Sequence, residues 1–252
     1  MKPGGERAAF ARKINRQRLQ PRMYDFSYLL LRKNLIVFGN FARMVNTVAG
    51  EKNDVRVLDI GCGFEPWREL MPPSCRYTGI DYNVENASPE CLGSALHIPA
   101  RASVFDAVIC SEVLEHTRNP DQVVNEIRRV VKPGGLVFLS SPFFFPVHGA
   151  PYDFQRLTRF FYLNAFAHDS IICLTESNSS LATGVTSMNL AIESGPFRLF
   201  IGLTHLFYIV TNLIGLCIDA LSDAIGPRIM RSYRDYFYRM PLGYAMIIRI
   251  NK

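Results

Sequence analysis

The chain has 252 residues, 48% of them hydrophobic and 20% charged, which suits one folded domain with an appendage and excludes both a disordered chain and one embedded wholly in a membrane. The net charge of +6 gathers at two places: Lys2, Arg7, Arg12, Lys13, Arg16, Arg18 and Arg22 face only Glu6 before Asp25, and Arg228, Arg231, Arg234 and Arg239 lie among Tyr233, Tyr236, Phe237 and Tyr238. Basic residues interleaved with aromatics suit an anionic membrane surface or a nucleic acid, but taken alone they read as solvated surface, and no nucleic-acid partner is expected.

Residues 1–22 are polar and are expected to form a flexible basic N-terminus. From Tyr24 to Gly50 the apolar residues recur at helical spacing. VRVLDIGCG is a short apolar run that breaks into glycines, the pattern of a buried strand entering a tight turn, and Pro66 suits the first turn of a following helix. CRYTGID, VFDAVIC and GLVFLSS predict further strands, the last after a turn at Lys132-Pro133-Gly134-Gly135, with PDQVVNEIRRVV helical between the last two. DSIICLTES predicts another strand and YAMIIRI, from Tyr244 to Ile250, a closing one. Strands alternating with helices predict a parallel sheet covered on both faces, whose ligands bind beyond the carboxyl ends of the strands.

The six cysteines form neither a C-x-x-C pair nor a Cys/His set with zinc spacing, so reduced thiols and no metal are expected. No apolar stretch with a cleavage site follows the basic N-terminus, which predicts a cytoplasmic protein.

Asp59-Ile60-Gly61-Cys62-Gly63 places two glycines where the first strand turns, so a ligand can approach the backbone closely and meet free N–H groups. A dinucleotide turn wants a third glycine where Pro66 stands, and Glu65 would set negative charge beside a pyrophosphate; both features disfavour NAD and FAD. S-adenosylmethionine (SAM) has no phosphate, and its sulfonium and ammonium are positive. VLDIGCG, then Asp81 closing YTGID twenty-two residues after Asp59, then FDAVICSEVLEH and RRVVKPGGLVFLSSP resemble the class I SAM-dependent methyltransferases across residues 55–175.

The resemblance implies an enzyme with a Rossmann-like α/β fold and a seven-stranded sheet with an antiparallel last strand, before which this chain's own uncharged stretch predicts a hydrophobic helical insertion. It also implies SAM as cofactor and a role for each matching position. Asp59 would accept hydrogen bonds near the methionine amine, Gly61, Cys62 and Gly63 would supply backbone, Asp81 would accept from both ribose hydroxyls, and Tyr82 beside it would join the cofactor-binding set. Ser94 stands where the family commonly has an acidic residue for the adenine amine, leaving that contact to Ser94 or to the backbone of Ala95 and Leu96. Cys110 and Ser111 would lie under the sulfonium.

On the acceptor side, Glu112 and His116 are four apart on an expected helix, hence on one face. PFFFPVHGAPYDFQRLTRF brings His148, Tyr152, Asp153 and Arg156 beside three phenylalanines and is similar to an H-x-x-P-x-D-x-x-R-x-T stretch of bacterial methyltransferases linked to cell-surface polysaccharides and lipid-linked intermediates. His148 is the leading base candidate because a neutral imidazole takes a proton near pH 7; His116 and Asp153 complete the catalytic set. A plainer reading makes the segment a loop pinned by Asp153 and Arg156.

Leu199 to Ile218 is twenty residues without a formal charge, long enough to span a bilayer. A single crossing would strand YAMIIRI on the far side, away from its sheet. On a helix Thr204, His205, Tyr208, Thr211, Asn212, Gly215 and Asp219 gather on one side, which predicts a helix lying flat in a membrane interface, its polar stripe toward water or the active site, or else one packed on the core. The expected organisation is a flexible 1–22, a SAM-binding core 23–180, a helical insertion 181–240 and a closing strand in 241–252. The expected protein is a methyltransferase at the cytoplasmic membrane face acting on a surface-polysaccharide, glycolipid or lipid-linked acceptor. The alternatives are a quinone or small-lipid methyltransferase, or a non-catalytic membrane or RNA binding module of the same fold.

Overall fold

The structure, a computed structural model, describes residues 4–52, 54–84, 87–196, 201–229 and 240–252. Strands β1 (Arg56–Ile60), β2 (Arg76–Asp81), β3 (Cys91–Leu92), β4 (Phe105–Ser111), β5 (Val131–Pro142), β6 (Ser170–Glu176) and β7 (Gly243–Arg249) form one sheet in the order β3-β2-β1-β4-β5-β7-β6. The first five pair in parallel, and β7 runs antiparallel between β5 and β6. Strand order reverses between β1 and β4, which opens a crevice beyond their carboxyl ends.

Alternation along each strand builds the two cores. Leu58, Ile60, Val108, Val137 and Leu139 pack under Val123, Val124, Ile127 and Val130 of α3 (Pro120–Val130) and under Tyr162 of α4 (Arg159–Ala165). Val57, Ala107, Ile109 and Phe138 meet Val37, Phe38, Phe41 and Val45 of α2 (Tyr28–Glu51) on the other face. Helix α3 starts where the sequence says it should: Pro120 occupies the first turn and the Asn119 side chain accepts from the Gln122 N–H at 3.1 Å.

Four local features differ from expectation. Pro66 opens only a 3₁₀ turn, Pro66–Leu70. β3 is two residues long, too short to leave a periodic pattern. The Lys132-Pro133-Gly134-Gly135 segment lies within β5, because a register shift between Phe105 and Ala107, with Gly134 at φ +74°, lets the strand bulge through it. The expected flexible N-terminus instead carries α1 (Gly4–Leu19): arginine, lysine and alanine favour a helix, and it docks by the Phe10 ring meeting Phe64 edge-on and the Asn15 Nδ2 donating to the Phe64 carbonyl at 2.8 Å.

Helices α5 (Ser180–Ser194) and α6 (Ile201–Ile229) pack together. Gly202–Ala224 is long and apolar enough to cross a membrane, with mean hydropathy 1.5, and a third of its most apolar stretch is buried. The chain nevertheless returns to put β7 between β5 and β6, which is incompatible with one crossing. The polar stripe of α6 turns into the protein. Thr211 Oγ1 donates to Asn189 Oδ1 at 2.8 Å, and Asn212 Nδ2 donates to the Met23 and Asp25 carbonyls at 2.8 and 2.9 Å. Asp219 accepts from Asn178 Nδ2 and the Ser179 N–H at 3.0 and 2.9 Å. Leu203, Leu206, Val210, Leu213, Ile214 and Leu221 are exposed. Leu199 and the arginine–tyrosine stretch at 230–239 lie outside the described residues.

Candidate active site

The turn after β1 is a close-approach turn whose N–H groups are already engaged. Gly61 and Gly63 have φ of +65° and +53°, the left-handed region that glycine enters without strain. The N–H groups of Gly61 and Cys62 donate to the Ile80 carbonyl at 2.9 and 3.1 Å, and that of Gly63 donates to Asp81 Oδ2 at 3.1 Å. The expected free donors are therefore spent on β2. What the turn offers is room: a Cβ on Gly63 would meet nothing within 4 Å, whereas one on Gly61 would stand 2.5 Å from Val113 Cγ2.

Asp81 sits at the end of β2, as expected. Its Oδ1 accepts from the Asn83 N–H at 2.9 Å and its Oδ2 from Gly63, leaving about two of a carboxylate's four acceptor sites for hydroxyls. Tyr82 beside it is exposed. Ser94 is exposed and its Oγ accepts from the Leu96 N–H at 3.2 Å, with Ala95 and Leu96 packed partly against the core. An open glycine cradle, a carboxylate with spare acceptors and the β1–β4 switch point on its other side fit SAM.

Asp59 and the Cys110 thiol sit differently from expectation, whereas Cys62 keeps its backbone role. Asp59 is 1% exposed on the face covered by α2, where the Tyr77 hydroxyl donates to it; burial pushes its carboxyl up to about 7, so it braces the turn from within the core and offers no open carboxylate. The thiols of Cys62 and Cys110 are buried and raised by burial, so these residues contribute backbone only.

Beyond β4 lies a cavity of about 500 Å³, lined among others by Arg18, Trp67, Ser111, Glu112, His116, Phe145, His148 and Tyr208. Glu112 and His116 reach it by a different route from a shared helix face. Glu112 takes φ +56° and breaks the chain direction, and His116 closes a 3₁₀ turn, Leu114–His116. Ser140 Oγ donates to Glu112 Oε1 at 2.8 Å, yet burial, and then the nearby Glu115 carboxylate, push Glu112 up to about 7.

The segment after β5 folds over this turn. Gln155 Nε2 donates to the Leu114 and Thr117 carbonyls at 3.1 and 2.7 Å, and the Phe154 N–H to the Glu115 carbonyl at 2.9 Å. Asp153 is spent inside the loop: Arg156 Nη2 donates to it at 2.8 Å and the His148 N–H at 2.9 Å, and the guanidinium holds its carboxyl far below the usual carboxylate range. It does not line the cavity, so Asp153 positions His148 and leaves the chemistry to others; the pinned-loop reading holds for Asp153 and Arg156. The His116 and His148 rings meet edge-on at 4.8 Å, and the Glu115 carboxylate raises the His148 imidazole above its ordinary value. Glu115 itself, quoted in the sequence motif but given no role there, is the residue that sequence reasoning missed; its position one turn beyond β4 beside a histidine was the available signal.

Residues 58–139 match the family model described as a methyltransferase domain. The chain matches it from β1 into β5. It is similar to the ubiquinone biosynthesis O-methyltransferase of Dechloromonas aromatica (strain RCB), 38% identical over 130 residues that cover 41% of this chain and 54% of that enzyme. The chain thus spans about half the length of the curated relatives it matches. Among solved structures it resembles a Bacillus halodurans C-125 protein assigned as a methyltransferase (TM-score 0.50, 15% identity, covering 84% of this chain and 100% of that one). It also resembles the [4+2]-cyclase SpnF (TM-score 0.50, 17% identity, covering 83% and 81%). Both likenesses are of fold.

Proposed function

We propose that the protein is a SAM-dependent methyltransferase acting on a hydroxyl of a small amphiphilic acceptor of the quinol type, which it meets at the cytoplasmic face of a membrane. The observation that carries this is the cavity against Ser111, at the end of β4, where Cys110 pairs in parallel with Ile60 just before the glycine turn; its wall mixes rings with Glu112, His116 and His148. The ubiquinone O-methyltransferases among the relatives favour a phenolic acceptor over the surface-polysaccharide acceptor that the sequence alone suggested.

When bound, SAM supplies an electrophilic methyl on a sulfonium. The chain's part is to hold its ribose at Asp81, to keep its methionyl arm against Gly63, and to seat an acceptor ring among Trp67, Phe145 and Tyr208 so that attack is in line. The Glu115, His116 and His148 cluster is where the acceptor hydroxyl gives up its proton. Docking is supported by the inside-out α6, whose leucines and isoleucine face outward while the buried Tyr208 and the exposed His205 border the cavity.

Calorimetry with SAM tests the cofactor reading. Asp81→Asn removes a charge-assisted hydrogen bond worth about 1.5–3 kcal/mol and weakens binding roughly 10- to 100-fold; no saturable affinity in the unmodified protein overturns the reading in favour of a binding module. Labelled methyl donor offered with a demethylated quinol and with a lipid-linked sugar decides the acceptor, and transfer to the sugar alone refutes the quinol. Flotation with anionic liposomes tests docking: protein left in the soluble layer at low salt counts against it.

A further inference from the structure

Glu115 is fully buried, and neither oxygen of its carboxylate has a hydrogen-bond partner among the described residues. A desolvated carboxylate without donors is costly, and a fold keeps one only where something else satisfies it. Nε2 of His116 and Nε2 of His148 each stand 3.7 Å from Glu115 Oε1, beyond hydrogen-bonding reach even when protonated. The other nitrogen of each ring is occupied: Nδ1 of His116 lies 2.8 Å from the Tyr152 carbonyl oxygen, and Nδ1 of His148 lies 3.2 Å from that of Pro146. A carbonyl oxygen only accepts, so each Nδ1 carries a proton, and a neutral ring would then turn an Nε2 lone pair toward the carboxylate. Three Lewis-basic groups therefore converge, with their ligand atoms within 4.8 Å of one another. Donors that share an ion at bond lengths of about 2.0–2.2 Å stand on the order of 3.5 Å apart.

We propose that Glu115, His116 and His148 form a site for a divalent transition-metal ion of the Zn²⁺ type, with its open coordination positions on the cavity side. Two imidazoles and one carboxylate with a position left free is the donor set of catalytic rather than structural zinc. The surroundings are those of a built ligand sphere: both rings are oriented by carbonyls, and Asp153, held by Arg156, fixes the backbone of His148. Gly149, at φ +64°, lets the loop lie on His116, because a Cβ there would come within 3.0 Å of its Cε1. Resting on the proposed transferase reading, the ion takes the acceptor's oxygen as a further ligand, lowering the hydroxyl's pKa and fixing its direction, with the proton passing to solvent. His148 then serves as a ligand and is no longer the free base.

The test uses the full chain stripped with chelator and titrated with Zn²⁺ or Co²⁺, bound metal being counted by mass spectrometry and the Co²⁺ site followed by its visible spectrum, with SAM calorimetry in parallel. One equivalent per chain is expected, with a nitrogen- and oxygen-ligated Co²⁺ spectrum. Glu115→Gln and His148→Gln should each weaken metal binding more than tenfold while SAM affinity stays within about twofold. Absence of saturable uptake by the unmodified protein overturns the site and leaves a histidine–carboxylate ion pair in its place. Undiminished uptake in both variants overturns it as well. If a variant also loses SAM affinity, His116→Asn replaces it. Metal bound without any SAM affinity would keep the site and remove the transferase reading, so the two fail separately.

Discussion

The two glycines of the β1 turn make a paired prediction, because the same substitution meets opposite surroundings six ångströms or so of chain apart. Gly61→Ala forces an alanine to φ +65°, costing about 1–2 kcal/mol, and drives its methyl to 2.5 Å from Val113 Cγ2, an overpacking worth about 1–3 kcal/mol more. Reduced freedom of the unfolded chain returns only about 0.4–1 kcal/mol, so a net loss of roughly 2–4 kcal/mol is expected. Gly63→Ala meets the same backbone penalty but no neighbour within 4 Å, and should cost roughly 1 kcal/mol or less. Its methyl enters the open space beside Asp81, so SAM affinity should fall at least tenfold where stability hardly moves. Urea denaturation and calorimetry measure both. Val113→Ala is the control: combined with Gly61→Ala it should show a favourable coupling of about 1–3 kcal/mol, and combined with Gly63→Ala none. Equal destabilisation by the two alanines, or no coupling between positions 61 and 113, would refute the assignment of one glycine to packing and the other to the ligand.

Asp106 is buried, which alone would raise its carboxyl, but the Lys132 ammonium at 2.7 Å, the Arg56 N–H at 3.1 Å and Lys52 together hold it below its ordinary value. A depressed carboxyl stabilises the fold above the unfolded pKa, near 4, and that contribution is lost as pH falls through the folded value. Lys132→Met should therefore lower the Tm at pH 7, with the gap to the unmodified protein closing below about pH 4; a gap independent of pH would refute the pairing. Asp219→Ala should cost about 2–5 kcal/mol, since Asn178 Nδ2 and the Ser179 N–H lose a buried acceptor, and Asp219→Asn, which keeps one, should cost less. A urea midpoint unmoved by the alanine would show that α5 and α6 do not depend on this contact.

The parts of the molecule legible in the sequence are those fixed by short-range pattern. Val57 to Ile60 is a short apolar run that breaks into glycines, which marks a strand buried on both faces, and Asp81 is placed by ending another such strand. Parts that depend on a single dihedral or on distant segments were not legible. Glu112 and His116 have helical spacing, but φ +56° at Glu112 converts the expected helix into a kink and a 3₁₀ turn, and it is this kink that precedes the buried Glu115. Nothing near residue 115 announces that a loop about forty residues later will lie across it, held through Gln155 and Phe154. The resemblance implies a ligand role for Asp59, whereas the period of two places its side chain on the face covered by α2, beside Tyr77.

The orientation of α6 shows how composition underdetermines a helix. A narrow polar stripe on an apolar cylinder is consistent with stripe-out in lipid or stripe-in on protein, and hydropathy cannot separate them. The partners decide: Asn212 reaches carbonyls of Met23 and Asp25, 189 and 187 residues away, and Gly215 lets α6 approach Leu29 so closely that a Cβ there would stand 2.4 Å from its Cδ1. With the stripe consumed inside, the apolar face must be the outer one, and the same helix borders the cavity through Tyr208 and His205. A bilayer touching Leu206 and Leu213 would then lie about one helix diameter, roughly 10 Å, from the acceptor site. An amphiphilic substrate could pass its ring inward while its tail stayed in lipid. Replacing Leu206 and Leu213 by aspartate should therefore abolish liposome flotation and raise the KM for a lipid-borne acceptor, while leaving SAM affinity and the KM for a water-soluble analogue unchanged; equal loss for both acceptors would place the defect in folding and refute the delivery role of this face.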